Sequence, residues 1–475
     1  KILVIVQLAG GNDGLNTVIP FTDQPYYNAR GSLAIPQNSV LQLNGSIGLH
    51  PSLPNLRNRF NQGQMAIIQG MSYPNPNRSH FRGMDIWESA VPDRIEPKGW
   101  VGRYFEACGC RRPDSLEGMA LGSRSLPRTF WTEMALVPAV GSLSTFRYGT
   151  IETPYQRSIE IPALKNALAV ATGRPEEEFL RQGILTALDD ADILQNSANN
   201  YAPVGSYPDT SFGQGFKFVS QVIAGNVGTR VFFVSLGGFD THSSQGGIHP
   251  ALLSELDQGI EAFLRDMEHQ NRMQDVTVVT FSEFGRRLAK NGSEGTDHGV
   301  AAPMFMLGGA INGGLHGNHP SLTDLTDGDL KMQLDFRQVY ATILRDWLNM
   351  NPSTILGGDF ATLSLFAGVG PPPNCSPRPA VKAQMSKVAP GRLLVVLSAG
   401  GGLFRELQFG AAPNALIEVG GQAPRAGGFT YRPSTTQVTL YVTRQSGSGS
   451  ATVPLTVIDD CGSWQTLVGG GPAAF

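Results

Sequence analysis

The chain opens on Lys-Ile-Leu-Val-Ile-Val-Gln-Leu-Ala-Gly-Gly-Asn-Asp-Gly, residues Lys1–Gly14. Lys1–Leu8 is a continuous apolar run of the kind that parallel strands show when both faces are buried. A glycine-rich turn carrying Asp13 follows at once. The same order, apolar run and then polar cluster, recurs at Arg230–Leu236 before Phe239–His242 and at Asp275–Phe281 before Ser282–Arg286. Loops leaving the carboxyl ends of strands in an α/β sheet converge on one crevice. The expected fold is therefore α/β, with a doubly wound, mostly parallel sheet.

The pattern continues outward on both sides. Helical spacing marks Leu53–Phe60, Ser79–Ala90, Pro175–Asn196, Phe212–Ala224, Ala251–His269 and Asp335–Met350, with further strands at Met65–Gly70 and Pro303–Leu307. Alternating strands and helices imply parallel crossovers. Pro113–Pro162 carries weaker signals and reads as an insertion or cap. Near Gly368–Pro379 a proline- and glycine-rich stretch reads as a stiff linker. Beyond it the helical period gives way to short alternating runs with glycine-rich turns, an all-β sandwich pattern. The expected organisation is an α/β domain over 1–366, a linker over 367–387 and a small β domain over 388–475.

Composition excludes several classes. Hydrophobic residues are 41% and charged residues 16% of the 475, enough apolar surface for a large core. A formal charge of −3 offers no broad attraction to nucleic acid or anionic lipid. No apolar run is long enough to cross a membrane as a helix. The chain enters a strand directly from Lys1 without a methionine, as a processed chain would. Four cysteines are too few for a disulfide scaffold. Cys375 and Cys461 bracket the last hundred residues, while Cys108 and Cys110 read as a pair that stays reduced or bonds elsewhere.

Five clusters carry the chemistry: Gly10–Gly14, Asn77–His80, Phe239–His242, Ser282–Arg286 and Thr296–Gly299. They contribute Asp13, Asp240, His242, Glu283, Asp297 and His298, carboxylates and imidazoles of the type that bind divalent metals. Each alone has a bland reading as a turn former, a helix cap or a solvated loop charge; together they suffice for one or two ions. Ser79 is expected to cap a helix, where the macrodipole favours an alkoxide or a bound anion. His80, Arg82 and Arg286 are candidates for proton donation and for charge balance. Signatures of rival chemistries are missing, among them Gly-x-Ser-x-Gly, His-Glu-x-x-His and a Walker loop.

In this order the clusters resemble a family of exported bacterial proteins described as sulfatase-like, within the alkaline phosphatase superfamily. The similar stretches are Leu8–Pro20, Ile67–Trp87, Phe233–His242, Val278–Arg287, Gly295–Pro303 and Asp335–Leu348, so the resemblance spans roughly residues 1–365. It implies an alkaline-phosphatase-like sheet and a divalent cofactor (Zn, Ca, Mg or Mn). It also implies an anionic small-molecule or polymer substrate and export by the twin-arginine route. On that resemblance Asp13 matches the first-strand ligand of one metal and Ser79 the nucleophile. Asp240 and His242 match ligands of the other metal, His298 the later histidine, and Glu283 stands where an aspartate ends its strand.

Three departures stand out. Phe284 replaces a histidine ligand, with His80 or Asp297 as substitutes. The spacing from Asp240 to His242 is short. The Cys-x-Pro-x-Arg maturation signature is missing, because Cys375-Ser-Pro-Arg-Pro ends in proline. The segment Val388–Phe475 resembles immunoglobulin-like modules of surface proteins, which implies self-assembly or attachment. Two functions are expected from this pattern: a metal-dependent hydrolase of phosphate or sulfate esters, or a non-catalytic surface protein on the same scaffold.

Overall fold

The computed structural model describes residues 1–108, 116–122, 125–133, 137–141, 153–170 and 173–367, then residue 424 and strands between 382 and 470. The chain separates into two compact units, Lys1–Tyr340 with Leu365–Ala367, and Ala341–Ser364 with Gly368–Phe475.

The first unit is built on a nine-stranded sheet. Its strands are β1 (Ile2–Leu8), β2 (Met65–Ser72), β3 (Gly118–Leu121), β4 (Ala139–Val140), β5 (Val231–Leu236), β6 (Val276–Phe281), β7 (Ala302–Leu307), β8 (Gly314–His316) and β9 (Leu334–Asp335). They lie in the order β8-β2-β7-β6-β1-β5-β3-β4, with β9 pairing β2. Every residue of β1 and β2 is buried, which explains their unbroken apolar runs. β3 and β4 come from the expected insertion, so part of that segment extends the sheet instead of capping it.

β7 departs from the parallel expectation. It runs antiparallel to both of its neighbours, β6 and β2. The physical reason lies in the connection. A parallel return needs a crossover of a dozen or more residues, usually helical. Between β6 and β7 the chain instead forms a small hairpin, Arg286–Lys290 paired with Thr296–His298. Arg286 and Asp297–His298 therefore lie on strands, not in the loops that their polar clusters suggest.

Helices cover both faces. On one, the helices α1 (Pro54–Asn61), α4 (Ser211–Ala224) and α5 (Gln245–His269) deliver Leu56, Phe216, Val219, Leu256, Ile260 and Phe263 against Val4 and Val6 of β1. On the other, α2 (His80–Ser89) sets Trp87 flat against Phe281 of β6, with ring centres 5.8 Å apart. The long helix α3 (Pro175–Asn200) carries three glutamates in its first turn, matching the helix dipole. The expected Asp335–Met350 helix is an α-helix over Phe336–Thr342 that loosens to a π-helix over Ile343–Trp347.

The second unit contains two four-stranded antiparallel sheets. Leu393, Val395 and Leu397 on one strand and Val438, Leu440 and Val442 on its neighbour are buried at every second position. They meet Leu407, Phe409, Val453 and Leu455 from the other sheet, the alternation that a β-sandwich requires. The stretch read as a linker lies largely outside the described residues. Cys108 is disulfide-bonded, with its partner outside the described residues, so of the two alternatives read for it the reduced one does not hold. No described helix is long and apolar enough to cross a membrane.

Candidate metal centre

The carboxyl ends of β1, β5 and β6 share one edge of the sheet, and their loops bring the sequence clusters together. Gly10 and Gly11 make this possible. Their φ angles are +120° and +79°. A Cβ on Gly10 would lie 2.4 Å from the Asp240 nitrogen, and one on Gly11 would lie 2.3 Å from the Phe284 ring. Only glycine adopts these angles and admits such close approach.

Asp240 is the hub. Its Oδ1 lies 3.0 Å from His242 Nε2, 3.1 Å from His298 Nε2 and 2.7 Å from Arg286 Nη2. Its Oδ2 lies 3.3 Å from His80 Nε2. Asp240 and His242 meet through two tight turns, Thr241 N–H to Phe239 O and His242 N–H to Asp240 O, not through an extended segment. Burial on its own would push the Asp240 carboxyl up. Hydrogen bonds from Arg286 and His298, with the charges of Arg286 and His242, outweigh it and hold the group down to about 2.

The other ring nitrogen of each histidine faces an acceptor. His80 Nδ1 is 2.7 Å from Glu283 Oε1, His242 Nδ1 is 3.2 Å from Asp297 Oδ1, and His298 Nδ1 is 2.8 Å from the Arg78 carbonyl. An acceptor faces Nδ1 and a second, the Asp240 carboxylate, faces Nε2, so in the tautomer with its proton on Nδ1 each ring offers the Nε2 lone pair to an ion. Three Nε2 atoms therefore turn toward one ionised carboxylate. His242 Nε2 and His298 Nε2 are only 2.9 Å apart. His80 Nε2 is buried and has no hydrogen-bond partner.

The 2.9 Å approach of two Nε2 atoms is met by a proton between them or by a cation, and the spacing of the donor atoms suits a cation. In a tetrahedral zinc site, bonds of about 2.0–2.1 Å put neighbouring donor atoms roughly 3.3 Å apart. The triangle of Asp240 Oδ1, His242 Nε2 and His298 Nε2 is within a few tenths of an ångström of that. His80, Asp240 and His298 likewise offer three ligand atoms all within 4.8 Å of one another. Carboxylates or carbonyls behind the imidazoles are the usual support for metal-bound histidine. The donor set fits a divalent ion.

The remaining predicted residues take other places. Asp13 is fully buried and not free to ligate. Both its oxygens engage Arg30, Oδ1 at 2.7 Å from Nη2 and Oδ2 against Nη1, and Gln245 Nε2 adds a third bond at 2.5 Å. Burial would raise its carboxyl, but the charge and hydrogen bonds of Arg30 keep it below the usual range. Glu283 is buried and accepts from Gly10 N–H at 2.9 Å as well as from His80, so it orients a histidine instead of binding an ion. Asp297 stands behind His242 in the same way, and the amide of Asn291, with His242, holds its carboxyl low.

Arg286 is corrected from charge balancer to staple. Its guanidinium is fully buried and donates to Gly11 O, Thr296 O, Phe239 O, Gly10 O and Asp240 Oδ1, so it points at the protein's own loops. Arg82 donates to Pro92 O and Arg94 O and fastens the loop after α2. Ser79 is the exposed N-cap of α2, as expected by position, but its side chain makes no capping bond. Phe284 is buried with its ring against His80 and His298, centres 4.9 and 4.4 Å away, a wall where a ligand was expected.

Sequence reasoning missed Arg30, Gln245, Asn291 and the Arg78 carbonyl. It also gave no role to His249, which is buried beside the site with Nε2 2.8 Å from Asn12 Oδ1. Burial lowers the His249 imidazole to about 4, so it is neutral and structural. None of these carries a local signal, because each meets its partner through the fold.

Residues 188–354 match the model of a family described as a protein of unknown function, DUF1501. No curated protein matches the chain. Similar solved structures include a protein of the alkaline phosphatase superfamily from Vibrio parahaemolyticus, at 11% identity over 84% of this chain and 77% of that one, TM-score 0.32. Another is the sulfatase PsFucS1 from a Pseudoalteromonas species, at 10% identity over 96% and 83%, TM-score 0.33. A third is the lipoteichoic acid synthase LtaP from Listeria monocytogenes, at 10% identity over 70% and 74%, TM-score 0.29. Superposition this loose says nothing about the chemistry of the crevice.

Proposed function

We propose that the chain is an exported metal-dependent hydrolase of phosphate or sulfate esters or related anionic substrates. It would work with one divalent cation, held by Asp240, His242 and His298. The observation that carries this reading is the set of three imidazole Nε2 atoms turned on one ionised carboxylate. Two imidazoles and a carboxylate suit zinc or manganese better than calcium or magnesium, which prefer all-oxygen shells. A single ion is proposed because Arg30 occupies both oxygens of Asp13 and Phe284 fills the place of a further ligand.

When bound, such a cation polarises an ester oxygen and lowers the pKa of a hydroxyl or water beside it. The protein's own groups would do the rest. Arg286 fixes which oxygen of Asp240 faces the histidines. Glu283 sets the ring of His80, whose Nε2 is turned to the same place and can take the proton of the attacking hydroxyl or water and then return it to the leaving group. Ser79, the neighbouring exposed residue, is assigned the attack or the anchoring of the attacking water. The disulfide at Cys108 is consistent with an oxidising compartment and so supports export.

The test combines elemental analysis of the native protein with turnover of aryl phosphate and aryl sulfate esters. One equivalent of a divalent metal is expected, with turnover that falls in D240N, H298A and S79A. A protein without stoichiometric metal, whose ester hydrolysis survives S79A, refutes the proposal. A second reading, a non-catalytic surface protein that assembles through its β unit, draws on Phe284 and on the Asp13–Arg30 pair. It predicts ordered self-assembly that is indifferent to loss of Ser79, and no turnover.

A further inference from the structure

Two arginines stand beside the cluster and belong to none of the roles above. Arg78 Nη2 is 2.7 Å from Asp329 Oδ2, and Arg287 Nε is 3.3 Å from Asp329 Oδ1. Asp329 is buried, with 3% of its side chain exposed, while Arg78 and Arg287 are 41% and 36% exposed. One buried carboxylate thus holds two half-exposed guanidinium groups from distant parts of the chain. Arg287 also donates to the Asp327 carbonyl from the same turn, whose own carboxylate is exposed.

Both arginines are tied to the cluster. The Arg78 carbonyl accepts from His298 Nδ1, and Arg287 follows Arg286 on the strand that pairs with His298. The charge of Arg287 is felt at Asp297, the carboxylate behind His242, and helps to lower it. Against the two arginines stand the buried Asp329 and the exposed carboxylate of Asp327, so two guanidiniums meet two carboxylates at this rim. An arginine fork is the side chain best matched to a carboxylate, sulfate or phosphate.

We propose that Arg78 and Arg287, set in place by Asp329, form an anion subsite beside the metal cluster, and that the substrate carries a second anionic group besides the one at the metal. This rests on the metal-centre reading and narrows its substrate class to esters with two or more anionic groups. A singly charged ester would leave the subsite facing water.

The test uses the full-length, zinc-loaded protein and titration calorimetry with phenyl phosphate and its ortho-, meta- and para-carboxy derivatives. At least one carboxy isomer is expected to bind about tenfold tighter than phenyl phosphate, the scale of one added hydrogen bond to a charged group. In R78Q/R287Q that advantage disappears while phenyl phosphate binding and zinc content stay the same. Both substitutions keep the backbone carbonyls that His298 and Arg30 use. Should the double variant fail to fold, each single variant leaves Asp329 one partner and must lose part of the advantage. Equal binding of all four compounds, or an advantage that survives in the variants, overturns the subsite alone. No zinc uptake, or no binding of phenyl phosphate by the zinc-loaded protein, brings down the metal reading and the subsite with it.

Discussion

Replacing Arg30 with methionine separates a structural Asp13 from a metal-binding one. Both side chains are fully buried and share two N–H···O contacts. After the substitution Asp13 keeps only the Gln245 amide and a long bond from Asn16 N–H at 3.4 Å. Breaking a buried pair by removing one partner costs about 3–5 kcal/mol, because the remaining charge is left without compensation. The Gln245 bond at 2.5 Å puts the expected loss at the lower end, roughly 3 kcal/mol. On a unit of this size that lowers Tm by roughly 4 °C. Removing both charges in R30M/D13L recovers part of the loss, less about 1 kcal/mol for the helix cap that Asp13 supplies to Gly14–Thr17.

The variant must also depend on pH in a particular direction. Arg30 holds the Asp13 carboxyl low in the wild type. Without it burial dominates and pushes the group up, so R30M should regain stability as pH falls and Asp13 takes a proton. Denaturant titrations across pH, with elemental analysis of each folded variant, read all of this. A loss below about 1 kcal/mol would mean that the ion pair is not what holds Asp13. A folded D13N that no longer retains its cation would make Asp13 a ligand after all, and the assignment of one ion would be wrong.

Three further outcomes follow from the geometry. D240N and H298A should each weaken zinc binding more than a hundredfold, beyond the 10- to 100-fold typical of supporting residues, as measured by competition with a chromogenic chelator. E283Q should weaken zinc binding less than about tenfold, because it turns the ring of His80, which is not among the proposed ligands, and its cobalt absorption spectrum should keep the wild-type coordination number. Glu88 is buried in α2 and accepts from Thr129 N–H at 3.0 Å, and burial raises its carboxyl to about 7. A raised folded-state value means that its stabilisation is complete below the ordinary glutamate range and is lost as pH climbs through 7. Unfolding free energy should therefore drop by about 3 kcal/mol between pH 4.5 and 8, and E88Q should flatten that slope.

How much of this was legible follows from where each constraint resides. β1, β2, β5 and β6 were readable because strands buried on both faces must be apolar throughout, and that requirement is written locally. The direction of β7 was not, since Ala302–Leu307 has the same composition whichever way it runs. What decides it is the hairpin before it, whose polar residues read equally well as loop. Asp240 and His242 were legible as candidates because they follow a strand end, and His298 because its residue type and its place in the Thr296–Gly299 cluster suit a metal ligand. Ligand and orienter could not be told apart for Glu283, because the difference lies in which atoms face its carboxylate, Gly10 N–H and His80 Nδ1. Arg30 left no trace at all: it reaches Asp13 from the end of a surface helix, and nothing local distinguishes it from any solvated arginine.

That invisibility has a physical consequence for the site. Asp13 and Asp240 leave adjacent strands at the same edge, and each meets a fully buried guanidinium, Arg30 in one case and Arg286 in the other. Asp13 has both oxygens enclosed. Asp240 has one edge of Oδ1 taken, is 46% exposed, and still faces three imidazoles. Two acidic groups that look equivalent in the sequence therefore differ in the one property that decides metal binding, an uncommitted lone pair open to an incoming ion. Only the Asp240 side retains it, and so the histidines, not the number of carboxylates, determine where a cation can sit.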